Sequence, residues 1–240
     1  MRILIIIPAY NEESSIVSTV KSLNKANLKD DTLDYVIVND GSCDNTLEVC
    51  SKHKMNVINL PVNLGIGGAV QTGYKYALEN DYDVAIQFDG DGQHDATYIK
   101  ALVAEIKKGN DIVIGSRYVA NLSEFKSTFL RRVGIKFLSL LIKICTHKKI
   151  YDPTSGFRAS NREIIRMFAM EYPTDYPEPD TIVTVIKSGY TVSEIPVKMK
   201  ERMSGKSSLS SPFKAMGYMI KVSCAIILSS MTTRRKKYAK

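Results

Sequence analysis

The 240-residue chain has no tryptophan, no Pro/Gly/Ser-rich linker, no internal repeat and no low-complexity tract. With no linker and no shift in composition, nothing divides it into halves, and its length suffices for one sizeable core. The four cysteines, Cys43, Cys50, Cys145 and Cys224, form no C-x-x-C pair, and the apolar run opening MRILIIIPAY is too short for a signal peptide. A reduced, cytosolic protein is expected. Long uncharged apolar runs are missing too: residues 125–145 and 211–230 are punctuated by Lys and Arg, so neither spans a bilayer comfortably. Acidic residues are the scarcer sign, 25 Asp+Glu against 33 Lys+Arg, and the net charge of +8 favours an anionic partner: nucleic acid, nucleotide phosphates or a lipid surface. The basic residues gather with aliphatics rather than interleaved aromatics, which argues against nucleic acid.

What the sequence does contain is a rhythm. Apolar runs of strand length recur at 3–7, 35–38, 56–60, 84–88 and 111–115, each reading as a strand buried on both faces. Helix-like stretches lie between them: one after a cap at Asn11, one after Asp44, one opening with the glycines of GIGGAV, and one from Asp95 to Gly109. Strand alternating with helix implies an α/β fold with a mostly parallel sheet covered on both sides. After residue 120 the rhythm breaks into the two basic apolar stretches. Helices lying on a membrane surface fit both, and so do core helices with solvated lysines. The tail RRKKYAK adds a basic cluster that anionic headgroups attract.

In an open parallel sheet, ligands sit beyond the carboxyl ends of the strands. The residues there are unusually polar: PAYNEE, NDGSCDNT, PVNLGIGG, DGDGQHD and SRY follow the five runs in turn. Asp89 and Asp91 stand one residue apart at the end of the fourth. Carboxylates are hard oxygen ligands suited to Mg²⁺ or Mn²⁺, ions that keep substrate phosphate oxygens in their remaining positions. Gln93 supplies a further carbonyl oxygen on the same side, although D-G-D-G also suits a tight turn. GIGGAV lacks the third glycine of a dinucleotide fingerprint and any Walker lysine. His94 reads as a polar turn residue, with contact to the donor as the alternative.

Seven segments in register, IPAYNEE, VNDGSCDNT, NLGIGGAVQTGY, FDGDGQHD, GSRY, DPTSGFRA and RMSGKSS, resemble glycosyltransferase family 2, in its polyprenyl-phosphate branch, over residues 3–208. The resemblance implies a GT-A nucleotide-sugar-binding fold as residues 1–210, including the amphipathic acceptor-side segment 125–145, followed by a C-terminal amphipathic helix and basic tail, 211–240. By the same resemblance Pro8, Tyr10, Glu12 and Asp40 hold the donor nucleoside, and Asp89, Asp91 and Gln93 surround the metal. Arg117 and Arg202 contact donor or acceptor phosphate with Lys206 nearby, and Arg131 meets the lipid phosphate.

The implied reaction is inverting transfer from a nucleoside diphosphate sugar, UDP-glucose or UDP-N-acetylglucosamine first, to polyprenyl phosphate, for bacterial cell-envelope polysaccharide. It takes place at the cytoplasmic face of the membrane, with room for a homo-oligomer or a small membrane partner. The missing tryptophan removes the Q-x-x-R-W signature of processive members. A phosphate acceptor with a second pKa of about 6 needs no strong base, though Asp152 or Glu178 is placed to orient it. The alternatives are a saccharide hydroxyl as acceptor, with Asp152, Asp175, Glu178 or Asp180 as base, and a membrane-peripheral scaffold without turnover.

Overall fold

The computed structural model describes residues 1–119, 129–175, 177–200 and 212–231, the side chains of 129–131 and 212–215 excepted. In chain order the elements are β1 Arg2–Ala9, α1 Ile16–Ser22, β2 Thr32–Asn39, α2 Thr46–Lys52, β3 Val57–Asn59, α3 Gly65–Glu79, β4 Val84–Gln87, α4 Ile99–Lys107 and β5 Ile112–Ser116. They continue with α5 Phe129–Thr146, β6 Arg158–Asn161, α6 Arg162–Met170, α7 Pro177–Lys187, β7 Val192–Pro196 and α8 Pro212–Met231. The strands form a single sheet in the order β3-β2-β1-β4-β6-β5-β7, and only β6 runs antiparallel to its neighbours.

The β1 strand shows why this order holds. Side chains alternate across a strand, so Ile3, Ile5 and Ile7 enter one core while Leu4 and Ile6 enter the other, all fully buried. The first face is covered by α1, α2 and α4 through Ile16, Cys50, Leu102 and Val103; the second is covered by α3 and the helices after residue 120. Glycines permit the closest approaches on that second face. A Cβ at Gly73 would lie 2.2 Å from an Ile6 methyl, and one at Gly67 would lie 2.1 Å from the Pro173 carbonyl oxygen. Gly67 of GIGGAV therefore serves packing, whereas Gly65 serves the backbone with φ +78°.

The five expected strands are all present. The expected helix cap at Asn11 is overturned: Asn11 takes a left-handed backbone (φ 57°) and its Oδ1 accepts the Cys43 N–H at 2.8 Å, so α1 starts only after Ser15. Asp95 does cap, accepting the Thr97 N–H at 3.0 Å, and Gly109 ends α4 with φ 98°.

The helices after residue 120 carry apolar side chains on two faces. On α5, Ile135, Leu138 and Ile142 are buried, whereas Val133, Phe137, Leu140 and Ile144 are exposed, recurring at helical spacing beside exposed Arg132, Lys136 and Lys143. On α8, Val222 and Ile226 join the second core, while Met216, Ile220, Ile227, Leu228 and Met231 face outward. The two helices pack on each other and on α7, where the Ser229 hydroxyl donates to the Asp180 carboxylate. Among the described residues no helix is long and apolar enough to cross a membrane.

Candidate active site

Six loops meet at one edge of the sheet. Those after β1, β2, β4, β5 and β7 arrive because their strands are parallel; residues 152–157 arrive because β6, which they precede, runs the other way. Tyr10, just after β1, is 49% exposed, and Pro8 is buried within that strand. Glu12 is buried: its N–H donates to Thr46 Oγ1 at 2.8 Å, and its carboxylate accepts the Ser15 hydroxyl. Asp40 is also buried, and its Oδ1 accepts the Leu64 N–H at 2.7 Å at the start of α3, so the β2 loop is tied to the GIGGAV helix. Gly41 makes that closeness possible, with φ +64° and the Asn63 nitrogen 2.8 Å from where a Cβ would stand.

The Asp89–Asp91 loop is held from several sides. Thr19 Oγ1 on α1 donates to the Gly90 carbonyl at 2.9 Å, and Asp91 Oδ1 accepts the Gln93 N–H at 3.0 Å across Gly92, whose φ is +77°. Gln87 Nε2 donates to Asp89 Oδ1 at 3.3 Å. A Cβ at Gly156 would sit 3.1 and 3.2 Å from the two Asp89 oxygens, so residue 156 must be small for Asp89 to lie where it does. Gln93 reaches another loop: its carbonyl accepts the Lys200 N–H at 2.8 Å and its Nε2 donates to the Lys200 carbonyl at 3.4 Å. Among the described residues no cluster of three or more His, Cys, Asp or Glu side chains forms a metal cage. Two carboxylates on one loop nevertheless fit Mg²⁺ or Mn²⁺, which commonly bind one or two carboxylates and complete their shell with phosphate and water.

Arg117 and Asp152, expected as separate site residues, form one buried unit. The guanidinium Nε and Nη2 each donate to an Asp152 oxygen at 2.7 Å, and the Arg117 N–H adds a third bond at 3.0 Å. Their side chains are 5% and 0% exposed. Burial alone would favour a neutral guanidinium, but the bonds and charge of Asp152 outweigh it and hold the arginine pKa above its ordinary value. Glu194 on β7 supports the unit by accepting the Tyr151 and Asp152 N–H groups at 2.7 and 2.9 Å. Arg202 and Lys206 lie outside the described residues, as does the side chain of Arg131, which stands in the first turn of α5.

Two groups were not found by sequence reasoning. Arg158 is buried, and its guanidinium donates to the carbonyls of Ser155, Glu178 and Pro153 at 2.6, 2.8 and 3.0 Å and to Thr181 Oγ1 at 2.9 Å, tying residues 152–157 to α7. Beside it, burial pushes the Glu178 carboxyl above its usual range; Arg158 opposes the rise and the Asp89 charge adds to it. His94, read as a polar turn residue, is 3% exposed, with its ring stacked on Phe157 at 4.8 Å and meeting the Phe88 ring at 5.3 Å. The polarity of FDGDGQHD hid it, although Phe88, six positions before the histidine, and Phe157 in DPTSGFRA were the aromatic signals available.

A doubly covered, mostly parallel sheet with paired carboxylates beyond one strand is the architecture of the GT-A fold. The match to Glycosyl transferase family 2 covers residues 4–168, and the chain belongs to that family; it is a glycosyltransferase. It is 28% identical to polyprenol monophosphomannose synthase of Mycolicibacterium smegmatis, over 87% of this chain and 81% of that protein. It is 31% identical to a UDP-N-acetylglucosamine–dolichyl-phosphate N-acetylglucosaminyltransferase of Methanococcus voltae, over 82% and 84%. Among solved structures, glucosyl-3-phosphoglycerate synthase of Mycobacterium tuberculosis in complex with Mn²⁺, UDP and phosphoglyceric acid superposes with a TM-score of 0.71, at 17% identity over 96% of this chain and 78% of that one, a likeness of fold.

Proposed function

We propose that the protein transfers a sugar from a nucleoside diphosphate sugar to polyprenyl phosphate at a membrane surface, with inversion. The observation that carries this reading is the exposed apolar stripe of α5 and α8, flanked by Arg132, Lys136, Lys143 and Lys221, on the same chain as the carboxylate-bearing sheet edge. A soluble sugar acceptor needs no such surface, whereas a lipid phosphate lies at headgroup depth where a basic apolar helix binds. The relatives named for polyprenyl and dolichyl phosphate support the same acceptor class.

In this reading the acceptor phosphate oxygen forms a bond to the anomeric carbon as the bond to the nucleoside diphosphate breaks. Asp89, Asp91 and Gln93 would hold Mg²⁺ or Mn²⁺, which neutralises charge on the donor pyrophosphate. Pro8, Tyr10, Glu12 and Asp40 form the nucleoside side of the cleft. Arg117 is kept cationic and fixed by Asp152, so its charge is preorganised rather than supplied at a cost in reorganisation. Asp152, committed to Arg117, acts on that arginine and not as a base. Arg131, Arg202 and Lys206 contribute cationic contacts to the phosphates, and the segment from 211 serves as the membrane-facing accessory. The site works on the cytoplasmic face of the membrane, with UDP-glucose or UDP-N-acetylglucosamine as first donors.

The test is to incubate purified protein with several nucleotide sugars, Mn²⁺ or Mg²⁺, and either polyprenyl phosphate or the corresponding polyprenol. A glycolipid should form only with the phosphate, and Arg131→Ala should raise the apparent KM for the lipid while leaving donor affinity nearly unchanged. Efficient glycosylation of the alcohol or of a soluble sugar would favour a hydroxyl acceptor and sink this reading.

A further inference from the structure

We propose that His94 is a positioning residue for Asp89: by accepting its main-chain N–H and standing beside its carboxylate, His94 sets the direction in which that carboxylate meets a divalent cation. The inference rests on the metal-assisted reading above. Strand β4 makes its last parallel bond to β1 when the Phe88 N–H donates to the Ile6 carbonyl at 2.9 Å. The next N–H, that of Asp89, leaves the sheet and is taken by His94 Nδ1 at 3.1 Å. Because Nδ1 accepts, the neutral imidazole carries its proton on Nε2, and Nε2 faces Asp89 Oδ2 at 3.5 Å.

One ring thus spans the main chain and the side chain of a single residue five positions earlier. The ring itself cannot swing. It lies parallel to Phe157 at 16° and edge-on to Phe88 at 78°. Gln87 Nε2 donates to the other Asp89 oxygen at 3.3 Å, and a Cβ at position 156 would come within 3.2 Å of both oxygens, so Gly156 keeps the room in which the carboxylate stands. The Asp89 side chain nevertheless stays 36% exposed, which leaves it able to meet a ligand. A buried imidazole that fixes a solvent-facing carboxylate is the arrangement expected of a group that orients a metal ligand from behind, where loss of the partner weakens metal binding roughly 10–100-fold.

The experiment measures Mn²⁺ binding by electron paramagnetic resonance in the presence of UDP, with melting temperatures and the Mn²⁺ activation constant alongside. His94→Phe keeps the ring contacts and removes both nitrogens; His94→Gln places an amide near the Nε2 position; His94→Asn places one near Nδ1. Mn²⁺ affinity should fall about tenfold or more in His94→Phe, recover largely in His94→Gln, and recover little in His94→Asn. Wild-type Mn²⁺ affinity in a folded His94→Phe variant would overturn the inference. So would equal recovery by Asn and Gln, which would reduce His94 to a loop-closing role; this comparison decides the matter even if His94→Phe does not fold. Absence of Mn²⁺ binding by the wild-type protein would instead remove the metal-assisted reading, and this inference with it.

Discussion

The loop edge of the sheet and the outer face of α5 and α8 are opposites. At the edge, polar groups are buried and partnered: Asp40, Arg117, Asp152 and His94 each lie at 5% exposure or less, and each is hydrogen-bonded. On the helical flank, large apolar groups stand in the open, Ile144 at 64% and Leu228 at 66%. Water would reverse both placements if folding energy alone decided them. In the proposed function each region keeps a cost with a use: buried charge would preorganise chemistry, and exposed hydrocarbon would prepare a surface for association.

The sharpest break in this comparison lies within the edge itself. Asp152→Ala leaves Arg117 buried without its counter-charge and should cost about 3–5 kcal/mol of stability. Asp91→Ala should leave melting close to wild type while cutting transfer by more than about 100-fold, because its carboxylate serves a ligand more than the fold. Calorimetry and a transfer assay on both variants separate the roles; a wild-type melting temperature for Asp152→Ala would show that the pair is not structural.

A second contrast sits two residues apart on α5. Ile142 is fully buried, so Ile142→Ala should destabilise by about 2–5 kcal/mol. Ile144→Ser should change stability by no more than about 0.5 kcal/mol, yet combined with Phe137→Ser it should weaken sedimentation with anionic vesicles. Vesicle binding unaffected by the double variant, or by added salt, would remove the flank from membrane contact.

The smallest expected effect is a pH dependence. Burial raises the folded-state pKa of Glu178 above its unfolded value, so its contribution to stability is complete below the unfolded pKa and is lost as pH rises through the folded one. Glu178→Gln should flatten that part of the stability profile, measured by denaturant titration from pH 4 to pH 8. An unchanged slope would mean that Glu178 titrates as an ordinary surface carboxylate.

Legibility followed the same division. Strands β1 to β5 were readable because burial on both faces demands continuous apolar runs, as in ILIII and VAIQF. Strand β6 was not, because its RASN sequence hides a buried arginine whose donors are absorbed by carbonyls, a compensation visible only in three dimensions. Strand β7 escaped because VSEIP is short and only partly buried. The motif residues near Asp89 and Asp91 were readable by resemblance, but the union of Arg117 with Asp152 depends on two loops brought together by the antiparallel strand. For α5, the periodicity left membrane surface and core open because both faces are apolar, and the structure shows one face packed and the other exposed.

The position of β6 also fixes an order of assembly during synthesis. β4 ends at residue 87, but its neighbour on the far side from β1 is made from residues 158–161. At translation speeds of roughly 5–20 residues per second, β4 emerges several seconds before the strand that covers it. Until then the nascent sheet presents a bare edge of unpaired N–H and C=O groups, a template for wrong pairing. The backing that Gly156 and Phe157 give to Asp89 and His94 arrives with that late strand, so the nascent chain completes its candidate site only when the last strands join the sheet.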